Sequence, residues 1–71
     1  MTNKYDKIRH NFTYHPPKDN QPDKYKLLRE SAFHIACQIE KYCPDSREKS
    51  LAMTNLEQAI MWANASIARN E

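Results

Sequence analysis

Residues 40–52 read Glu40-Lys41-Tyr42-Cys43-Pro44-Asp45-Ser46-Arg47-Glu48-Lys49-Ser50-Leu51-Ala52, and this stretch decides the fold. Pro44 disfavours helical geometry at Cys43 and has no N–H to donate to a preceding helix. One helix therefore stops here. Asp45 is a favoured N-cap with Glu48 three positions on, the capping-box spacing that opens a second helix at 45. The link is about three residues, short enough to fold the two helices back antiparallel.

Upstream, apolar residues fall at Tyr25, Leu28, Ala32, Ile35, Ile39 and Tyr42. Alternating steps of three and four make one continuous helical stripe, which Phe33 and Ala36 widen. Pro22-Asp23 marks the start, since Asp suits a helix N-terminus by its acceptor and its charge. The first helix is expected over 23–43, the second over 45–70. The second stripe is Ala52, Leu56, Ala59, Ala63 and Ile67, broadened by Met53, Ile60 and Trp62. Residues 1–22 hold three of the four prolines, Pro16, Pro17 and Pro22. They read as an extended, proline-rich N-terminal arm rather than a helix. The fold class is all-α: one domain, an antiparallel two-helix hairpin with that arm.

Composition narrows the function. The chain has 71 residues, no glycine, and a net charge of +2 from 11 basic and 9 acidic side chains. Without glycine there is no phosphate loop and no dinucleotide fingerprint. A charge so near zero does not make polyanion binding the default. No run of about 18 apolar residues suggests a membrane span. Lys4, Asp6, Lys7 and Arg9 make the N-terminus unlike a signal peptide. Charge is uneven, +3 over residues 1–30 and −1 over 31–71, so the positive field belongs to the arm and the first helix.

Ile60, Met61 and Trp62 span about 200° of helix surface, more than a lone hairpin covers. Chains this small seldom build a sufficient core alone. A homo-oligomer is expected. Cys37 and Cys43 lie too far apart along a helix for an internal disulfide and read as half-buried, reduced thiols. His34 stands one turn before Cys37, but no third group orients the pair for nucleophilic catalysis. His10, His15 and His34 have no metal-ligand spacing. Glu57 and Glu71 stand apart, so paired carboxylates are absent. No enzyme, no metal and no cofactor are expected.

Two features suit a nucleotide. Phe12-Thr13-Tyr14-His15-Pro16-Pro17 sets aromatics beside a stiff proline pair: they could stack on a base, or Phe12 and Tyr14 could pin the arm onto the helices, and both roles coexist if Phe12 turns inward and Tyr14 outward. Lys24, Lys26 and Arg29 gather near the start of the first helix. Lys26 and Arg29, three apart, could hold phosphates. At the second helix N-terminus, Asp45 and Glu48 are expected to use the donors that an anion would need.

The run from Ser46 to Arg69, above all Met61-Trp62-Ala63-Asn64-Ala65 followed by Ile67-Ala68-Arg69, joins Phe12-Thr13-Tyr14-His15-Pro16-Pro17 in resembling a known family. The family is the phage anti-CBASS cyclic-oligonucleotide sponge proteins, CBASS being a bacterial cyclic-oligonucleotide-based anti-phage signalling system. The resemblance covers residues 9–69 and is strongest from 46 onward. It implies a helical homohexamer, a trimer of dimers, that sequesters signal molecules without cleaving them. Cyclic dinucleotides such as cGAMP would sit between paired subunits. The implied dinucleotide set is Tyr14 and His15 with Arg29 or Lys26. The implied trinucleotide set is Ser31 and Arg69, with serine standing where the family carries threonine. The implied location is the cytoplasm of an infected bacterial host. Cyclic oligonucleotides and further copies of the chain are the partners; no membrane and no direct protein partner is implied. The rival readings are a small helical RNA- or DNA-binding regulator, a cyclic-nucleotide phosphodiesterase and a purely structural oligomer.

Overall fold

The computed structural model describes residues 4–71. They form three helices in chain order: α1 (Lys4–Asn11), α2 (Gln21–Tyr42) and α3 (Arg47–Asn70). Among the described residues there is no strand. Helices α2 and α3 lie against each other as the hairpin.

At the turn, Cys43 is extended (φ −99°, ψ 129°), the geometry that Pro44 imposes, and its N–H still reaches Ile39 O at 3.0 Å. The N-cap of α3 is Ser46 rather than Asp45. Ser46 is extended (φ −170°, ψ 168°), and its hydroxyl oxygen accepts from the Lys49 N–H at 3.1 Å. Lys49 occupies the third helical position, so no carboxylate reaches back to complete a capping box. Asp45 is used differently. Its carboxylate takes the Lys49 ammonium at 3.0 Å, and Glu40 takes it at 3.1 Å. The Lys49 side chain is only 10% exposed and also donates to Glu40 O at 3.2 Å. One lysine thus ties the end of α2 to the start of α3.

Helix α2 begins at Gln21, two residues before the Pro22-Asp23 start that the sequence suggests. A proline within the first helical turn breaks no hydrogen bond, so Pro22 does not delay the helix. Asn20 is the N-cap residue, without a side-chain cap bond.

The N-terminal segment corrects the sequence reading. Residues Lys4–Asn11 are helical, not an extended arm. This stretch holds no proline, and Pro16 and Pro17 lie beyond its end. Phe12 N–H bonds Ile8 O at 3.1 Å, and the Thr13 hydroxyl donates to Arg9 O, closing the last turn. The chain from Thr13 to Asn20 is irregular.

The molecule measures 50 × 27 × 16 Å, with a radius of gyration of 15.9 Å. A compact chain of this length would have about 11 Å. The smallest extent, 16 Å, is little more than one helix with its side chains. Such a single layer has no interior, and among the described residues no apolar side chain is buried. Phe33 is 65% exposed and Trp62 61%. Cys37 and Cys43 are free and exposed, not half-buried. Among the described residues no helix is long and apolar enough to cross a membrane.

Ser46→Ala removes the cap and should lower stability by about 1 kcal/mol in urea unfolding. Lys49→Met should lower the urea midpoint by a different route, with its own pH signature. Hydrogen bonds from Asp45, then Glu40, hold the Lys49 ammonium above its ordinary value of 10.5. The wild-type advantage should be full below 10.5 and shrink as the pH rises through the folded-state value.

Candidate functional site

Among the described residues the one that is buried is polar. Gln21, 3% exposed, sits where α2 begins beside the end of α3. Its Nε2 donates to Ile67 O at 3.4 Å and to Glu71 Oε1 at 3.5 Å, while its Oε1 accepts from the Lys18 N–H at 3.0 Å. The same residue therefore holds the loop before α2 and the end of α3. Lys18 Nζ adds a bond to Glu71 O at 2.7 Å, and Lys24 Nζ pairs with Glu71 Oε2 at 2.7 Å. Glu71 is thus engaged rather than isolated, and Lys24 is taken up by it.

Helix α1 joins this end through histidine. His10 Nε2 lies 2.8 Å from Arg69 O, and His15 Nε2 lies 2.8 Å from His10 O. A carbonyl only accepts, so each Nε2 carries its hydrogen. The two rings are 4.4 Å apart between centroids. The carbonyls near the α3 C-terminus, which no further turn can satisfy, thereby become the anchor for the N-terminal segment. Phe12 takes no part in the anchoring: it is 89% exposed, so the inward role that the sequence suggested is corrected. Hydrogen bonds hold this segment where an apolar pin was expected.

Tyr14 stands next to this latch and is 79% exposed. His15 is half-buried, with its ring already engaged. Lys26 and Ser31 are exposed on α2. Arg29 borders a groove of about 290 Å³ between α2 and α3, with Glu57 on α3. The walls between them are Ala32, Phe33, Ala36, Leu56 and Ile60. Arg69 is half-buried. The chain brings His15 and Arg69 together through His10. Among the described residues, no hydrogen bond or ion pair joins Tyr14 or His15 to Lys26, Arg29 or Ser31. Among the described residues, no group of three His, Cys, Asp or Glu could hold a metal ion.

Sequence reasoning missed Gln21 and His10. Both act through bonds to residues 46 to 59 positions away, which leave no periodic signal. It also missed Asn64, whose Oδ1 is buried with no donor among the described residues.

Fold and latch define a small helical-hairpin protein with a hydrogen-bonded N-terminal segment. A family model described as "Acb2/Tad1, hairpin domain" matches residues 4–68, and the chain belongs to that family. This membership agrees with the resemblance to the anti-CBASS sponges. No curated protein and no solved structure matches the chain.

Gln21→Ala should cost about 1–2 kcal/mol, because the Lys18 N–H loses its acceptor and the end of α3 its donor. Acid should weaken the same end. The Lys24 ammonium, helped by the Gln21 amide, holds the Glu71 carboxyl below its ordinary value of 4.5. The resulting stabilisation is present above 4.5 and lost as the pH falls through the folded-state value. Lys24→Met should flatten that acid limb in thermal melts between pH 7 and 3.

Proposed function

We propose that the chain is a phage sponge that binds cyclic dinucleotides and keeps them from the effectors of bacterial CBASS defence. The observation that carries this reading is Tyr14, an aromatic ring left 79% exposed beside a hydrogen-bonded latch, in a chain of the Acb2/Tad1 hairpin family. An exposed ring on a fixed support is a stacking platform for a base, worth about 1–3 kcal/mol. Family membership supports a binding protein rather than an enzyme, so the signal molecule is held and returned intact.

The site in this proposal is Tyr14 with His15, completed by a cation from Lys26 or Arg29. Among the described residues no bond joins Tyr14 or His15 to Lys26 or Arg29, which favours a pocket that two copies build together. A cyclic dinucleotide has two bases and two phosphates, and a twofold pair of chains offers two copies of each contact. Cyclic trinucleotides are the second proposed ligand class, at Ser31 and Arg69. The working assembly is a homohexamer, a trimer of dimers, acting in the cytoplasm of the infected host. The exposed apolar faces of a 16 Å layer support self-association. A stoichiometric sponge must hold free signal at nanomolar levels, which requires about −12 kcal/mol.

Calorimetric titration with 3′,3′-cyclic GMP-AMP, followed by heat denaturation and chromatography of the ligand, tests the reading. One intact ligand per two chains, bound tightly, is the expected result. A linearised product would make the protein an enzyme. Absence of uptake of any cyclic di- or trinucleotide, with RNA binding that weakens steeply in salt, would make it a nucleic-acid regulator. Tyr14→Ala should weaken dinucleotide binding by at least about 1 kcal/mol. Arg69→Ala should reduce trinucleotide binding and spare the dinucleotide.

A further inference from the structure

The groove between α2 and α3 carries one charge on each wall, Arg29 on α2 and Glu57 on α3. Among the described residues neither has an ion pair or hydrogen bond through its side chain. Between them the lining is apolar, and Phe33 is 65% exposed. Covering this face with an apolar surface alone would strip water from two unpaired charges, which is costly. A cover that suits the groove must offer a negative charge opposite α2 and a positive charge opposite α3.

A second copy of this chain meets that requirement in one of two orientations. Face-to-face packing needs a twofold axis in the plane of the interface. An axis across the helices, centred on the groove, lays α2 on α2 and brings like charges together. An axis along the helices lays each α2 over the partner copy's α3. Arg29 of each copy then meets Glu57 of the other, and the two apolar linings close on each other. The charge pattern selects the second arrangement.

We propose that the groove face is a twofold interface between copies, a four-helix layer pair in which Arg29 of each chain pairs in trans with Glu57 of the other. This deepens the homo-oligomer reading above and rests on it.

The test is charge reversal with mixing, read as molar mass by light scattering across a dilution series. Arg29→Glu alone and Glu57→Arg alone each place like charges in both pairs of a dimer. Each should need at least about tenfold more protein to assemble than the wild type. Mixing the two variants in equal amounts should restore assembly, because every pair in the mixed dimer is again opposite in sign. A contact within one chain could not be restored by mixing. Single variants that assemble like the wild type, or a mixture that stays dissociated, would overturn the proposal. Should circular dichroism show a single reversal unfolded, the double variant Arg29→Glu/Glu57→Arg decides: assembled supports the pairing, monomeric refutes it. Titration of the wild type with 3′,3′-cyclic GMP-AMP keeps the two readings separate. Ligand uptake without restoration by mixing overturns the pairing alone, whereas restoration without uptake overturns the sponge reading alone.

Discussion

Two helices laid side by side share only one face, and the rest of this structure follows from that limit. Helices of 22 and 24 residues give a long contact, yet every apolar side chain in it keeps some access to water. Hydrophobic burial within the chain is therefore modest. Directed bonds compensate at the two ends of the hairpin. Lys49 fastens the turn, and Gln21 fastens the opposite end. Between these two points the faces of the hairpin remain open, and the groove beside Arg29 is one of them.

The same limit bears on the groups that the proposed ligand would need. Tyr14 and His15 precede α2 and Lys26 and Arg29 lie in its first three turns, and among the described residues no bond joins the two sets. A single layer 16 Å thick cannot wrap a ligand between such positions. A binding pocket for a molecule with two bases and two phosphates needs walls, and in the proposed sponge further copies of the chain supply them.

The hairpin was legible because α2 and α3 carry sustained stripes with Pro44 between them. Its cap was misplaced by one residue, because Asp45 and Ser46 are both good caps and only backbone geometry selects Ser46. Helix α1 was missed because eight residues give barely two turns of pattern and the prolines that follow suggested extended chain. The stripe of Tyr5, Ile8 and Phe12 was the available signal. Tyr14 does point outward, but the partner assigned to hold it, Phe12, does not hold it. The latch itself was illegible. Local pattern cannot reveal that His10 meets Arg69, since the bond exists only after the chain has reversed at Pro44.

That last point bears on the order of events. The bonds from His10 and Gln21 to the end of α3 close loops of 59 and 46 residues. Forming them first would carry the full entropy of closing such loops, whereas the turn at 43–46 closes almost none. Loop closure alone therefore favours contacts at the tip over those of the latch. The segment that bears Tyr14 is thus held to the end of α3 by bonds that close the longest loops of the chain.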